Sequence, residues 1–113
     1  TIEIGPGLGA LTEMLLKYSK NVVAYEIDPD MYERLLNNIH DDRLTVYLED
    51  FLDTDISVYK EEVNVCSNLP YYVTTPILFK IFESILPLVP EVTIYLISIP
   101  SPIVFEISAG NSI

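Results

Sequence analysis

Three glycines stand within five positions, Gly5-Pro6-Gly7-Leu8-Gly9, between a strand-like Ile2-Glu3-Ile4 and a run with helical spacing. Glycine takes positive φ without steric cost and lets the backbone approach a ligand closely. A strand that enters such a turn and leaves it as a helix is the opening half of a β–α–β unit. The rest of the chain repeats the alternation. Leu11, Met14, Leu15 and Tyr18 recur at helical spacing. Residues 21–27 (NVVAYEI) read as a buried strand ending in acids. Asp28-Pro29 reads as a helix start, with Asp as the cap and Pro at the first helical position. That helix is expected to carry Met31, Leu35, Leu36 and Ile39 inward. Residues 44–48 (LTVYL) are a third strand, and 51–62 an acidic loop with one helical turn. Residues 63–67 (VNVCS) are a fourth strand, 74–86 a helix with Pro76 in its first turn, and 92–97 (VTIYLI) a fifth strand. This order predicts an α/β fold with a doubly wound, mostly parallel sheet and right-handed crossovers.

At 113 residues the chain is long enough for one domain with one core. A hydrophobic fraction of 50%, with eight Tyr and four Phe, excludes a disordered composition. No apolar run approaches the roughly 20 residues of a helical membrane span, and no secretory signal opens the chain. The single cysteine, Cys66, excludes an intrachain disulfide and offers no metal cluster. It fits an intracellular, reducing compartment, with cytoplasmic, nucleolar and organellar settings left open. The chain opens at Thr1 where its first strand is already ending, so it reads as part of a longer protein. Its net charge of −11 repels nucleic acid. Any RNA-acting role then needs a basic surface from another segment, domain or partner.

Four groups of residues carry chemistry. In the glycine turn, the N–H groups of the following helix favour an anion, and Gly5-x-Gly7-x-x-Ala10 satisfies the relaxed dinucleotide fingerprint. Glu3, two positions before Gly5, instead suits a cationic group, such as the amino group of a methionine-like moiety. A tight turn without a ligand is the bland alternative. Glu26 ends the second strand, where a carboxylate can accept both hydroxyls of a ribose; a solvated strand end is its alternative. Asp28 is better explained as a helix cap. Asp50 follows the third strand, where it can accept a hydrogen bond from an adenine amine, with Phe51 or Leu52 covering the base. Glu49 competes with it, because neighbouring side chains point to opposite sides.

Asn68-Leu69-Pro70-Tyr71 is the most discriminating group. A base amine has its lone pair delocalised into the ring. The Asn68 side-chain carbonyl and the Leu69 backbone carbonyl can accept its two N–H bonds and favour a nucleophilic nitrogen. Pro70 fixes the turn, and Tyr71 offers a face to a base flipped out of its helix. Tyr72 is a second ring or a packing residue. Alone, this string also reads as a Pro-containing turn. Beside the glycine turn it points to methyl transfer from a sulfonium to a base amine, through orientation and without a metal. If strands one and four are neighbours where the strand order reverses, the two motifs face one crevice, with Glu26 and Asp50 along the same edge. Cys66 reads as core filling, His40 as a helix-end residue, and Asp53 and Asp55 as a solvated loop.

The strings Ile2 to Thr12 (IEIGPGLGALT), Tyr25 to Asp28 (YEID), Glu49-Asp50, Asn68 to Tyr72 (NLPYY) and Thr74 to Leu78 (TTPIL) resemble the ribosomal RNA adenine N6,N6-dimethyltransferases. The resemblance covers roughly residues 1–97. It implies a Rossmann-like class I fold dependent on S-adenosylmethionine, incomplete here at both ends. It implies dimethylation of adenines near the 3′ end of small-subunit ribosomal RNA, free or in a pre-ribosomal particle, with no membrane and no metal. By position, Glu3, Gly5, Gly7, Gly9, Glu26, Asp50 and Asn68 resemble cofactor contacts. Asn68, Leu69, Pro70 and Tyr71 resemble the target-amine site.

Residues 98–113 depart from the family pattern, and so does the lack of a closing N-terminal segment and of a basic helical domain. Residues 1–97 are therefore read as a partial cofactor-binding core and 98–113 as an unassigned tail. The apolar run 103–107 is placed to fold back on the fifth strand, which would otherwise be an exposed edge. Two other readings stay open. One is an inactive RNA- or assembly-binding module. The other is a nicotinamide-dependent oxidoreductase, which leaves 68–72 unexplained.

Overall fold

The computed structural model describes residues 1–56, 58–59, 63–67, 71–84, 91–96 and 103–108. Along the chain run β1 (Ile2–Ile4), α1 (Ala10–Tyr18), β2 (Val22–Glu26), α2 (Pro29–Asn38), β3 (Leu44–Leu48) and a 3₁₀ turn at Phe51–Asp53. Then come β4 (Val63–Ser67), α3 (Tyr71–Ser84), β5 (Glu91–Leu96) and β6 (Ile103–Ser108). They build one six-stranded sheet in the order β3-β2-β1-β4-β5-β6. The first five strands are parallel, and β1 lies between β2 and β4 at the reversal of strand order, as the alternation predicts. β6 runs antiparallel along β5, from Glu91 opposite Ser108 to Leu96 opposite Ile103. The fold-back of the tail thus supplies the strand that covers β5.

Alternation along β1 divides the interior. Ile2 is in register with Val23 and Val65, and Ile4 with Tyr25 and Ser67. Ile2, Ile4, Tyr25 and Val65 join Phe51, Ile56, Val63, Ile77 and Ile81 in the main core. Each fully buried large side chain there contributes about 1.5–3 kcal/mol. Glu3 is in register with Ala24 and Cys66, and all three are buried. A carboxyl therefore sits inside the sheet's second layer, where an apolar side chain is the norm.

Two helix faces differ from the sequence reading. In α1 the buried positions are Thr12 and Leu16, while Met14 is 47% and Tyr18 83% exposed. In α2 Leu35 is fully buried and Leu36 is 41% exposed. Consecutive helical residues stand about 100° apart, so with Leu35 at the centre of the buried face Leu36 falls towards its edge. α3 starts three residues before the expected Thr74, which places Pro76 inside the helix. The expected end of that helix, at residues 85–86, lies outside the described residues. Among the described residues no helix is long and apolar enough to cross a membrane.

Candidate ligand-binding cleft

All three glycines of the turn have positive φ: 70° at Gly5, 57° at Gly7 and 96° at Gly9. The reasons differ. A Cβ at Gly9 would lie 2.6 Å from Ile39 Cδ1 and 2.7 Å from Leu35 Cδ1, so this glycine lets α2 pack against the start of α1. A Cβ at Gly7 would meet nothing within 4 Å. Its backbone faces open space, as close approach to a ligand requires.

Glu26 organises the turn. Its carboxylate accepts the Gly7 N–H at Oε1 (3.0 Å) and the Asp28 N–H at Oε2 (3.0 Å). Its backbone carbonyl accepts the Glu49 N–H at 3.0 Å. One side chain thereby fixes the glycine turn and the entry to α2. A carboxylate has about four acceptor sites, so these two bonds leave capacity for two hydroxyls. Asp28 caps α2 by accepting from Asp30 N (2.8 Å) and Met31 N (3.4 Å).

Asp50 caps the 3₁₀ turn, accepting the Leu52 N–H at Oδ1 (3.0 Å). The one hydroxyl hydrogen of Thr54 is shared between the Asp50 carbonyl (2.8 Å) and Glu49 Oε2 (3.0 Å). Both candidate acids of this segment therefore belong to one hydrogen-bonded wall. Beside it Phe51 packs edge-on to Tyr25, with ring centroids 5.4 Å apart and planes at 69°. Tyr25 also stacks on Tyr47, and its hydroxyl meets that of Tyr59. Burial raises the Tyr25 pKa, which keeps that hydroxyl protonated.

Several of these groups border one cleft of about 420 Å³. Ile4, Gly5 and Gly7 line it from β1 and the glycine turn, and Tyr25, Glu26 and Ile27 from the end of β2. Glu49, Asp50, Phe51 and Leu52 form a further wall, and Ile77 reaches in from α3. A mostly apolar cleft with a few placed carboxylates suits a flat ring carrying hydroxyl and amine groups. The structure thus brings Gly5, Gly7, Glu26 and Asp50 to one place.

Glu3 sits apart from the cleft lining. It is 1% exposed, and its carboxylate accepts a hydrogen bond from Thr12 Oγ1. Burial pushes its pKa up to about 7; the Thr12 bond opposes this, and the Glu26 charge adds to it. Gly9 likewise lies outside the lining. Burial, with Glu3's charge adding, pushes the Cys66 thiol up to about 11, so it is an inert core group. Among the described residues no cluster of His, Cys, Asp or Glu could hold a metal ion.

Asn68, Leu69 and Pro70 lie outside the described residues, and Tyr71 is described only as the first residue of α3. Their flanks are placed: β4 ends at Ser67 in register with Ile4, and α3 begins at Tyr71. Sequence reasoning missed Thr12, Ile77 and Lys80. A hydroxyl one turn into a helix, after a strand that carries an acid, was the signal available for Thr12.

The family profile described as "Ribosomal RNA adenine dimethylase" matches residues 1–104. The ribosomal RNA small subunit methyltransferase A of Mycoplasma mobile is 47% identical over 83 residues, 74% of this chain and 32% of its own length. The chain spans about a third of the length of such curated relatives. Among solved structures, the 23S rRNA methyltransferase ErmE superposes with a TM-score of 0.70 at 28% identity, covering 84% of this chain and 38% of its own. A dimethyladenosine transferase from Plasmodium falciparum gives 0.63 at 28% identity, covering 84% and 34%. With motifs, sheet order and profile in agreement, the chain belongs to the ribosomal RNA adenine dimethylase family.

Proposed function

We propose that this chain holds the methyl-donor site of an enzyme that methylates N6 of adenines in small-subunit ribosomal RNA, with S-adenosylmethionine as donor. The observation that carries the reading is Glu26, anchored by Gly7 and Asp28 N–H groups in a mostly apolar cleft that Asp50 also lines. The names of the relatives and the family match support it. The residues present fit such a donor. Gly7 leaves room for close approach, Glu26 keeps acceptor capacity for ribose hydroxyls, and Asp50 lies where an adenine amine would be read. Ile27 and Leu52, 66% and 39% exposed, offer apolar cover to the faces of the base.

When bound, S-adenosylmethionine supplies an electrophilic methyl group on a sulfonium. The chain's own work is placement. By the resemblance, the Asn68 side-chain carbonyl and the Leu69 backbone carbonyl would accept the two N–H bonds of the target amine and aim its lone pair, Pro70 would fix the bend and Tyr71 would stack on the base. Holding two reactants in line replaces a bimolecular encounter, an effect worth up to roughly 7–11 kcal/mol in well-oriented systems. A net charge of −11 means that RNA contacts come mainly from groups other than this chain's surface.

Calorimetric titration with S-adenosylmethionine tests the donor half. Saturable binding is expected, weakened about tenfold or more by Glu26→Ala through loss of charge-assisted bonds. Affinity unchanged in a folded Glu26→Ala variant would overturn the assignment. Transfer of a labelled methyl group to small-subunit ribosomal RNA, lost on Asn68→Ala, tests the acceptor half.

A further inference from the structure

Lys80 lies on α3, three residues after Ile77 and so on the same face of the helix. Ile77 lines the cleft. The Lys80 ammonium donates to the backbone carbonyl of Thr54 and stands 5.4 Å from the centroid of the Phe51 ring, within cation–π range. Both contacts fall on the segment that Asp50 caps. Thr54 passes the restraint on, since its hydroxyl bonds the Asp50 carbonyl and the Glu49 carboxylate. Phe51 is 2% exposed and fixed against Tyr25. A 3₁₀ turn of three residues has poor hydrogen-bond geometry and little stability of its own. Here it is braced by one cation reaching across from the helix that begins at Tyr71.

We propose that Lys80 is a positioning residue that sets the cleft's preference for an adenine over a base without the 6-amino group. The inference rests on the donor site proposed above. A site discriminates strongly between donor and non-donor ligands only when its polar groups are held where the donor needs them. Asp50 and the backbone of its turn are the groups that would read the amine. The Lys80 brace fixes them relative to Glu26, which is anchored independently by Gly7 and Asp28. Loss of the brace should therefore blur base selection while leaving the ribose end intact.

The test is calorimetry on the chain with S-adenosylhomocysteine and with S-inosylhomocysteine, in which an oxo group replaces the 6-amine. The unmodified chain should favour the adenosyl ligand by roughly tenfold or more. Lys80→Met should reduce that preference to within about twofold, chiefly by weakening the adenosyl ligand. Lys80→Arg, which can still donate to Thr54 and lie over Phe51, should restore most of it. Should Lys80→Met not fold, Lys80→Gln keeps a donor without the cation, and an intermediate preference is expected. Equal weakening of both ligands in a folded variant would mark Lys80 as general packing and overturn the proposal. An undiminished preference would do the same. An unmodified chain that binds both ligands equally would refute the Lys80 role and leave the donor site standing. One that binds neither would refute both.

Discussion

Replacing Glu3 by glutamine should change how the stability of this protein depends on pH. Glu3 is 1% exposed between α1 and the sheet, and burial holds its pKa at about 7 against an ordinary 4.5. Between those values the folded chain keeps a proton that the unfolded chain has released. The folded state then binds more protons than the unfolded state, so stability falls as pH rises. The contribution is fully present below about pH 4.5 and is lost as pH passes about 7. At 1.36 kcal/mol per unit, a rise from 4.5 to about 7 amounts to about 3 kcal/mol. Glutamine is similar in size, cannot ionise, and can still accept the Thr12 hydroxyl bond. Urea denaturation of both chains from pH 5 to pH 8.5 reads the effect, because the two chains differ only at position 3. The curve of the Glu3→Gln variant should lie progressively above that of the unmodified chain as pH rises, by about 3 kcal/mol at the alkaline end. Parallel curves would refute the claim that the buried Glu3 carboxyl resists ionisation.

Two further substitutions separate structure from binding. Gly9→Ala places a Cβ against Leu35 and Ile39 at a φ of 96°, and should cost about 1–3 kcal/mol in urea or thermal unfolding. Asp28→Ala removes the bonds to Asp30 N and Met31 N and should cost about 1 kcal/mol by the same measurement, with donor affinity by calorimetry unchanged.

Much of this architecture was legible because its signals are local. The β–α alternation and the Asp28-Pro29 cap announced the sheet and its helices, and β1 beside β4 follows from the usual winding of such sheets. Gly5, Gly7, Glu26 and Asp50 could be grouped because each follows a strand or closes one. What sequence missed is what depends on packing across elements. Gly9 resembles its neighbours in the string, yet its reason lies in α2. The bond from Thr12 to Glu3 joins α1 to β1, and no spacing in the sequence announces it. Lys80 lies 26 positions from Thr54, and no periodicity joins them.

Among the described residues, the cleft takes its lining from positions 4–52 and from Ile77, which α3 brings in from beyond β4. The two stretches meet along β1, a strand of three residues that pairs with β2 on one side and β4 on the other. Under the proposed reading, a substitution on α3 can therefore reach the donor cleft, although every other described wall lies before β4. A sheet wound in this order ties the cleft to the helix that begins at Tyr71, where the proposed target-amine motif ends.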